Sequence, residues 1–228
     1  TTILGNISLA KIYLKNDIKK VDAKINEAEK ALFRARDLTQ QLLTFSRGGV
    51  PVKKTILLEP LIKESVLFAL RGSSVQVNFN ISEDIFPTDV DEGMIGQAIN
   101  NLIINAVQAM PDGGSIDVAV DNIILENKTT IEGLQLEKGS YVKITIKDHG
   151  IGISNEHIAK IFDPYFTTKE KRTGLGLATT FSIIQKHGGH ITVNSELGIG
   201  TIFNIYLVAS PEHITINRKT NKPVYGQG

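Results

Sequence analysis

Cysteine and tryptophan are absent from this sequence, methionine occurs twice, and aromatic residues fill 6% of its 228 positions. Without cysteine there are neither disulfides nor thiolate metal sites; the chain is compatible with a reducing compartment, and a cytoplasmic location is expected. Charge imbalance is also missing. Lys plus Arg number 25 against 24 for Asp plus Glu, and a net +1 offers no global argument for nucleic acid or an anionic membrane. No apolar run approaches the roughly 20 residues that span a bilayer, and the first residues lack a signal-peptide layout, so a soluble chain is expected. What is present, 41% hydrophobic content over 228 residues, suffices for one full α/β domain plus a smaller helical element.

Val21, Ile25, Ala28, Leu32, Ala35, Thr39 and Leu42 recur in alternating steps of four and three, a heptad seam interrupted by the polar Thr39. Ile3, Ile7, Ala10 and Leu14 carry the same spacing ahead of it, and Lys15-Asn16-Asp17 offers a turn and an N-cap. A helical hairpin over residues 1–47 is expected. Its narrow stripes cannot enclose a core alone, so a second copy completing a four-helix bundle is the economical solution, and packing on the chain's own globular domain is the alternative. Arg47-Gly48-Gly49-Val50-Pro51 ends the helix with a glycine pair and a proline, which places a hinge over residues 48–54.

From 55 to 209 helices and strands alternate. Helices are expected near Glu59–Leu70, from Asp91 to Met110 and from about Gly176 to His187. Strands are expected at Val75–Ile81, around Ile116, Val118 and Val120, around Val142, Ile144 and Ile146, and near His190–Ser195 and Thr201–Leu207. The segment near Asn127–Ser140 reads as a polar loop. The fold class is α+β, a sheet covered by helices on one side. Residues 210–228 have no periodicity and read as a linker or tail.

Along the helix from Asp91, Asn101 and Asn105 are four apart and project from one face. A neutral amide oxygen can ligate Mg²⁺ that is shared with phosphate oxygens. Asp148 closes a strand before His149-Gly150-Ile151-Gly152, where a carboxylate can accept the exocyclic amine of adenine and so reject guanine. Thr173-Gly174-Leu175-Gly176-Leu177 opens a helix whose first N–H groups suit phosphate oxygens. Each piece alone is common: an Asn pair is usually a surface amide or cap, as Asn100 is read here, and an Asp-x-Gly is usually a turn. His157, His187, His190 and His213 show no metal-binding spacing.

In this order, NLIINAVQAMPDGG, DHGIG, FDPYFTTK and TGLGL resemble the N, G1, F and G2 boxes of the ATP-binding domain of sensor histidine kinases, within the superfamily of gyrase, Hsp90 and MutL. The resemblance covers residues 1 to about 208. It implies ATP and Mg²⁺ as cofactors, with Asn105 as the magnesium ligand and Asn101 supporting the phosphates. It places Asp148, Gly150 and Gly152 at the adenine, and Thr173, Gly174, Leu175, Gly176 and Leu177 at the phosphates. Ile153 to Arg172 resembles the ATP lid, with Phe162, Pro164, Tyr165 and Phe166 as an apolar latch and Lys169 and Arg172 as catalytic cations. Gly198-Ile199-Gly200-Thr201 resembles a further glycine turn that shapes a strand entry. Gln108 and Ala109 depart from the basic and aromatic residues frequent there in the family, so the adenine-stacking residue is not assigned.

Hydrolysing members carry a Glu four residues before the magnesium-binding Asn, and here that position is Asn101. An amide cannot take the proton of water, so the site should hold ATP for an outside nucleophile. TTILGNISLAK and ARDLTQQLLTFSRGG resemble dimerisation and phosphoacceptor helices whose acceptor His lies upstream of Thr1, and none of the five histidines falls in either. The sequence as given is therefore expected to bind ATP without autophosphorylating. A homodimer and a response-regulator receiver domain are the implied partners; KPVYGQG resembles the linker before a receiver in hybrid kinases. A superfamily ATPase acting as a nucleotide-gated clamp, and a dimerisation scaffold with a degenerate site, are the rival readings.

Overall fold

Apolar and polar residues alternate through Val75–Ile81, and the backbone there is the strand the alternation predicts. The computed structural model describes residues 2–14, 17–29, 31–32, 50–168 and 173–210. The chain divides into two compact units, Thr1–Gly49 and Val50–Gly228.

In the first unit, helix α1 spans Thr2–Tyr13 and a second helix, α2, is described over residues 18–29 and 31–32. Asp17 caps α2 as its sequence position suggests, its Oδ1 accepting the Lys20 N–H at 3.1 Å. Small or polar side chains hold the buried positions: Asn6, Ala10 and Ala28. The larger seam residues Ile25 and Leu32 are exposed. Ala35, Thr39 and Leu42 lie outside the described residues.

The second unit contains strands β1 (Lys54–Ile56), β2 (Val75–Ile81), β3 (Thr88–Val90), β4 (Gly114–Leu125), β5 (Thr129–Ile131), β6 (Leu134–Leu136), β7 (Gly139–Asp148), β8 (His190–Glu196) and β9 (Gly200–Val208). Its helices are α3 (Leu58–Ala69), α4 (Glu92–Ala109), the short α5 (Asn155–Ile158) and α6 (Gly176–Lys186). Five strands form the main sheet in the order β2-β4-β7-β9-β8. Only the β2–β4 pair is parallel; the remaining pairs are antiparallel. Val118 faces Ile146 and Val120 faces Ile144 across β4 and β7, so both alternating stripes fall on one face. That face packs against α3, α4 and α6 in a continuous core in which Leu58, Ile62, Ile99, Ile103, Val118 and Ile183 are fully buried. Each such side chain contributes about 1.5–3 kcal/mol. The α+β class expected from the sequence is what forms.

Two pairings were not legible in the sequence. β1 and β3 form a separate two-stranded ladder. The expected polar loop contains the β5–β6 hairpin, which lies on the outer face of the sheet, where Leu136, Tyr141 and Tyr206 make a small second core with Ile131 and Leu134. At the hairpin turn Glu132 accepts hydrogen bonds from Thr192 Oγ1 and Asn204 Nδ2. Burial alone would raise its carboxyl, but these hydrogen bonds and Lys143 prevail and hold it below the usual range. No described helix is long and apolar enough to cross a membrane.

Candidate functional site

Asp91 organises the start of α4: its Oδ1 accepts the Met94 N–H and its Oδ2 the Val52 N–H, both at 3.0 Å. Its own N–H donates to Nε2 of His187 at 3.0 Å, while Nδ1–H of that buried imidazole donates to the Ile183 carbonyl at 2.8 Å. An Nε2 that accepts requires a neutral ring, and burial pushes the His187 pKa down. The end of α6 is thereby joined to the start of the helix that carries both amides.

Along α4, Ile95, Ala98, Ile99, Leu102, Ile103 and Ala106 enter the core, and Asn101 borders them at 6% exposure. Its Nδ2 donates to the Gly176 carbonyl at 3.1 Å, and Thr180 Oγ1 donates to the same oxygen at 3.0 Å. Asn101 is thus tied to the glycine that opens α6. One turn later, Asn105 is half-buried and its amide has no hydrogen-bond partner among the described residues. Asn100 is not the surface amide the sequence suggested: its Oδ1 is buried and has no partner there.

Asp148 ends β7 at 5% exposure, between Ile116 of β4 and Thr201 of β9, and its Oδ1 accepts the Gly150 N–H at 2.9 Å. The turn that follows crosses the end of α4, where the Ile151 N–H donates to the Ala109 carbonyl at 3.1 Å. A Cβ on Gly150 would lie 2.6 Å from that of Ala109, so small residues are required on both sides of the crossing. This gives Ala109, the departure from the family pattern, a packing role. On the other side the Gly198 N–H donates to the Ile151 carbonyl at 2.9 Å. Gly152, at φ +69, leaves no room for a side chain, since a Cβ would meet the Glu196 carbonyl at 2.1 Å. Gly200, opening β9, packs as closely on the Asp148 carbonyl.

Gly174 stands at φ +67 against Tyr165, whose N–H donates to the Gly174 carbonyl at 3.1 Å. This bond ties the segment that resembles a lid, at Tyr165, to the glycine motif before α6. Within that segment Ile161, Phe162 and Phe166 pack on the core, and the Phe162 and Phe181 rings are 5.3 Å apart. Pro164 and Tyr165, expected in the apolar latch, are exposed: the left-handed backbone of Tyr165 (φ 66) gives its N–H to Gly174 and leaves its ring 68% exposed. Thr173 is exposed, while Leu175 is buried and Leu177 packs its side chain on the core, so their backbone is the part open to a ligand. No side chain caps α6 at Leu175, which leaves its first N–H groups for an anion. Lys169 and Arg172 lie outside the described residues.

α4 therefore has the glycine-rich start of α6 beside Asn101 and the Asp148 turn beside Ala109. Among the described residues no group of three His, Cys, Asp or Glu could hold a metal. The unpartnered neutral amide of Asn105 suits instead a hard cation that takes most of its ligands from phosphate and water. Residues 90–211 match the family model described as "Histidine kinase-, DNA gyrase B-, and HSP90-like ATPase".

The chain belongs to this family.

Within it, the chain carries the catalytic ATP-binding domain of sensor histidine kinases. It is 37% identical over 200 residues to Sensor kinase CckA of Brucella abortus (strain 2308), a match covering 84% of this chain and 20% of that protein. It is 32% identical over 209 residues to Sporulation kinase A of Bacillus subtilis (strain 168), covering 90% and 31% respectively. The catalytic domain of the histidine kinase ThkA, in a nucleotide-free form, superposes with a TM-score of 0.56 at 27% identity, over 71% of this chain and 98% of that one. Full-length ShkA in complex with AMPPNP shares the fold, with a TM-score of 0.66 at 19% identity, over 91% and 43%. The chain thus spans between a fifth and a third of the two curated relatives.

Two hydrogen-bonded side chains beside the Asp148 turn had escaped the sequence. Ser195 Oγ accepts the Ile153 N–H at 2.8 Å and donates to the Gly200 carbonyl at 2.9 Å, holding the exit of the Asp148 turn. His149 Nε2 donates to Asp117 Oδ2 at 2.8 Å. Both act across strands, and no local spacing announces a cross-strand partner.

Proposed function

We propose that this chain is the ATP-binding and dimerising part of a protein histidine kinase, working in the cytoplasm. The observation that carries the proposal is the absence of a carboxylate one turn before Asn105, at a position where Asn101 instead binds the Gly176 carbonyl. Asp148 accepts the adenine amine, Gly150 and Gly152 let the backbone approach the base, and the N–H groups from Thr173 to Leu177 receive phosphate oxygens. Asn105 holds Mg²⁺ through its amide oxygen, and Lys169 and Arg172 add positive charge from the lid. When bound, Mg²⁺ neutralises phosphate charge, and with no general base at Asn101 the γ-phosphoryl is kept for a histidine acceptor rather than for water.

The acceptor is a histidine upstream of Thr1, and the phosphoryl group passes next to an Asp of a response-regulator receiver domain. Residues 1–47 supply half of a dimeric bundle, a reading supported by exposed Ile7, Ile25 and Leu32; residues 48–54 are the hinge, 55–209 the catalytic domain and 210–228 a linker. Label from γ-phosphate should be followed in this chain and in a version extended upstream to include the acceptor helix. Acid-labile label on the extended protein alone is expected. Rapid release of free phosphate with no labelled protein would make it an ATPase, and acid-labile label on His149 or His187 would overturn the acceptor assignment.

A further inference from the structure

The turn after Asp148 is held from inside by α4 and from one side by the β8–β9 connection; on the outer face of the sheet a chain of three side chains does the same. Because side chains alternate along β7, Asp148 points toward the core and His149 to the opposite face. There Asp117 of β4 stands directly opposite Lys147, and its carboxylate is hydrogen-bonded by two other side chains: Oδ1 takes the Nδ2–H of Asn78, at 2.9 Å, and Oδ2 the Nε2–H of His149, at 2.8 Å. Asn78, in the middle of β2, sits beside Asp117 in the parallel β2–β4 register, so the three side chains run from β2 across β4 to the residue just past the end of β7. These two bonds, Asn78 first, hold the Asp117 carboxyl below the usual range.

His149 lies between the carboxylate that reads the base and the first glycine of the turn. Rotation of the Asp148–Gly150 backbone would carry the imidazole away from Asp117, and it would also break the Gly150 N–H bond to Asp148 Oδ1. We infer that His149 is a positioning residue: by anchoring the turn to Asp117 it fixes the direction of the Asp148 carboxylate and so sets the preference of the site for adenine over guanine nucleotides. This rests on the reading of Asp148 as the adenine contact.

The test is calorimetric titration of the 228-residue chain with Mg-ATP and with Mg-GTP, for the parent, His149→Ala, His149→Gln, Asp117→Ala and Asp148→Asn, with thermal unfolding midpoints alongside. His149→Ala is expected to cut the ATP-over-GTP ratio by about fivefold, the loss of one charge-assisted hydrogen bond felt indirectly. Gln, whose amide can donate to Asp117, restores most of it, and Asp117→Ala reproduces the loss. Loss of the preference in Asp148→Asn but not in His149→Ala overturns the inference and leaves the adenine reading standing. An unchanged ratio in every variant overturns both. A fall in the unfolding midpoint of His149→Ala with an unchanged ratio means the bond is merely structural, which also overturns it. Should the alanine variant fail to fold, the Gln and Asp117→Ala proteins carry the same comparison.

Discussion

Residues 50–228 and residues 1–49 solve burial in opposite ways. The larger unit covers its apolar residues with its own elements: Ile62, Ile99 and Ile103 lie at 0% exposure beneath one face of the sheet. Among its described residues the smaller unit leaves the seam residues Leu14 at 64%, Leu32 at 55% and Ile25 at 45% exposed, and buries Asn6, Ala10 and Ala28 instead. Large apolar residues spaced as a seam and left uncovered cost solubility unless another surface takes them up. On the proposed reading, nucleotide binding and dimerisation draw on separate cores, so damage to one should leave the other measurable.

The largest effect tests the self-contained core. Ile103→Ala removes a fully buried side chain from the middle of α4 and should cost about 3 kcal/mol, read by denaturant unfolding of the catalytic unit. A cost below about 1 kcal/mol, the usual range of an exposed substitution, would mean that α4 is not part of that core. Next comes Gly152→Ala, where left-handed backbone and a carbonyl 2.1 Å from the new Cβ combine. About 3 kcal/mol of stability should be lost together with nucleotide affinity; a variant that binds ATP normally would place the ligand elsewhere.

His187 connects α6 to α4 as a neutral acceptor, and its pKa is lowered mainly by burial. The unfolded chain therefore takes up the proton first. Stability contributed by the neutral ring is complete above an unfolded pKa of about 6.5 and declines as pH falls toward the depressed folded value. His187→Ala should cost about 2 kcal/mol by leaving the Asp91 N–H unpaired, and should flatten the pH dependence in that window. An equally steep profile in the variant would assign the slope to other groups. The smallest effect lies in the hairpin. Ile25→Ala, at 45% exposure, should change unfolding of a single copy by about 0.5 kcal/mol yet weaken self-association, seen by sedimentation across a concentration series. Unchanged association would remove Ile25 from the seam.

Long elements were legible because one periodicity ran through them. Val75–Ile81 alternates for seven residues, and Asp91 marks the start of an 18-residue helix by the cap it provides. The three-residue strands of β1, β3, β5 and β6 are too short to display any period, and those of the β5–β6 hairpin are held by distant Tyr141 and Tyr206, so their sequence reads as loop. The same limit governed the site. The residues read as the nucleotide site, Asp148, Asn101 and Asn105, are named by motif, whereas the cross-strand hydrogen bonds of Ser195 and His149 follow from strand register. The Tyr165 ring was misplaced because only the backbone angle, not the residue type, turns it outward.

The most direct measurement is calorimetric titration of Mg-ATP into the parent chain and into Asp148→Asn. Loss of a charge-assisted hydrogen bond to adenine predicts binding by the parent and about 2 kcal/mol weaker binding by the variant, roughly thirtyfold in Kd. Equal affinity in a folded variant, or no binding by the parent, would contradict the placement of the nucleotide at the Asp148 turn.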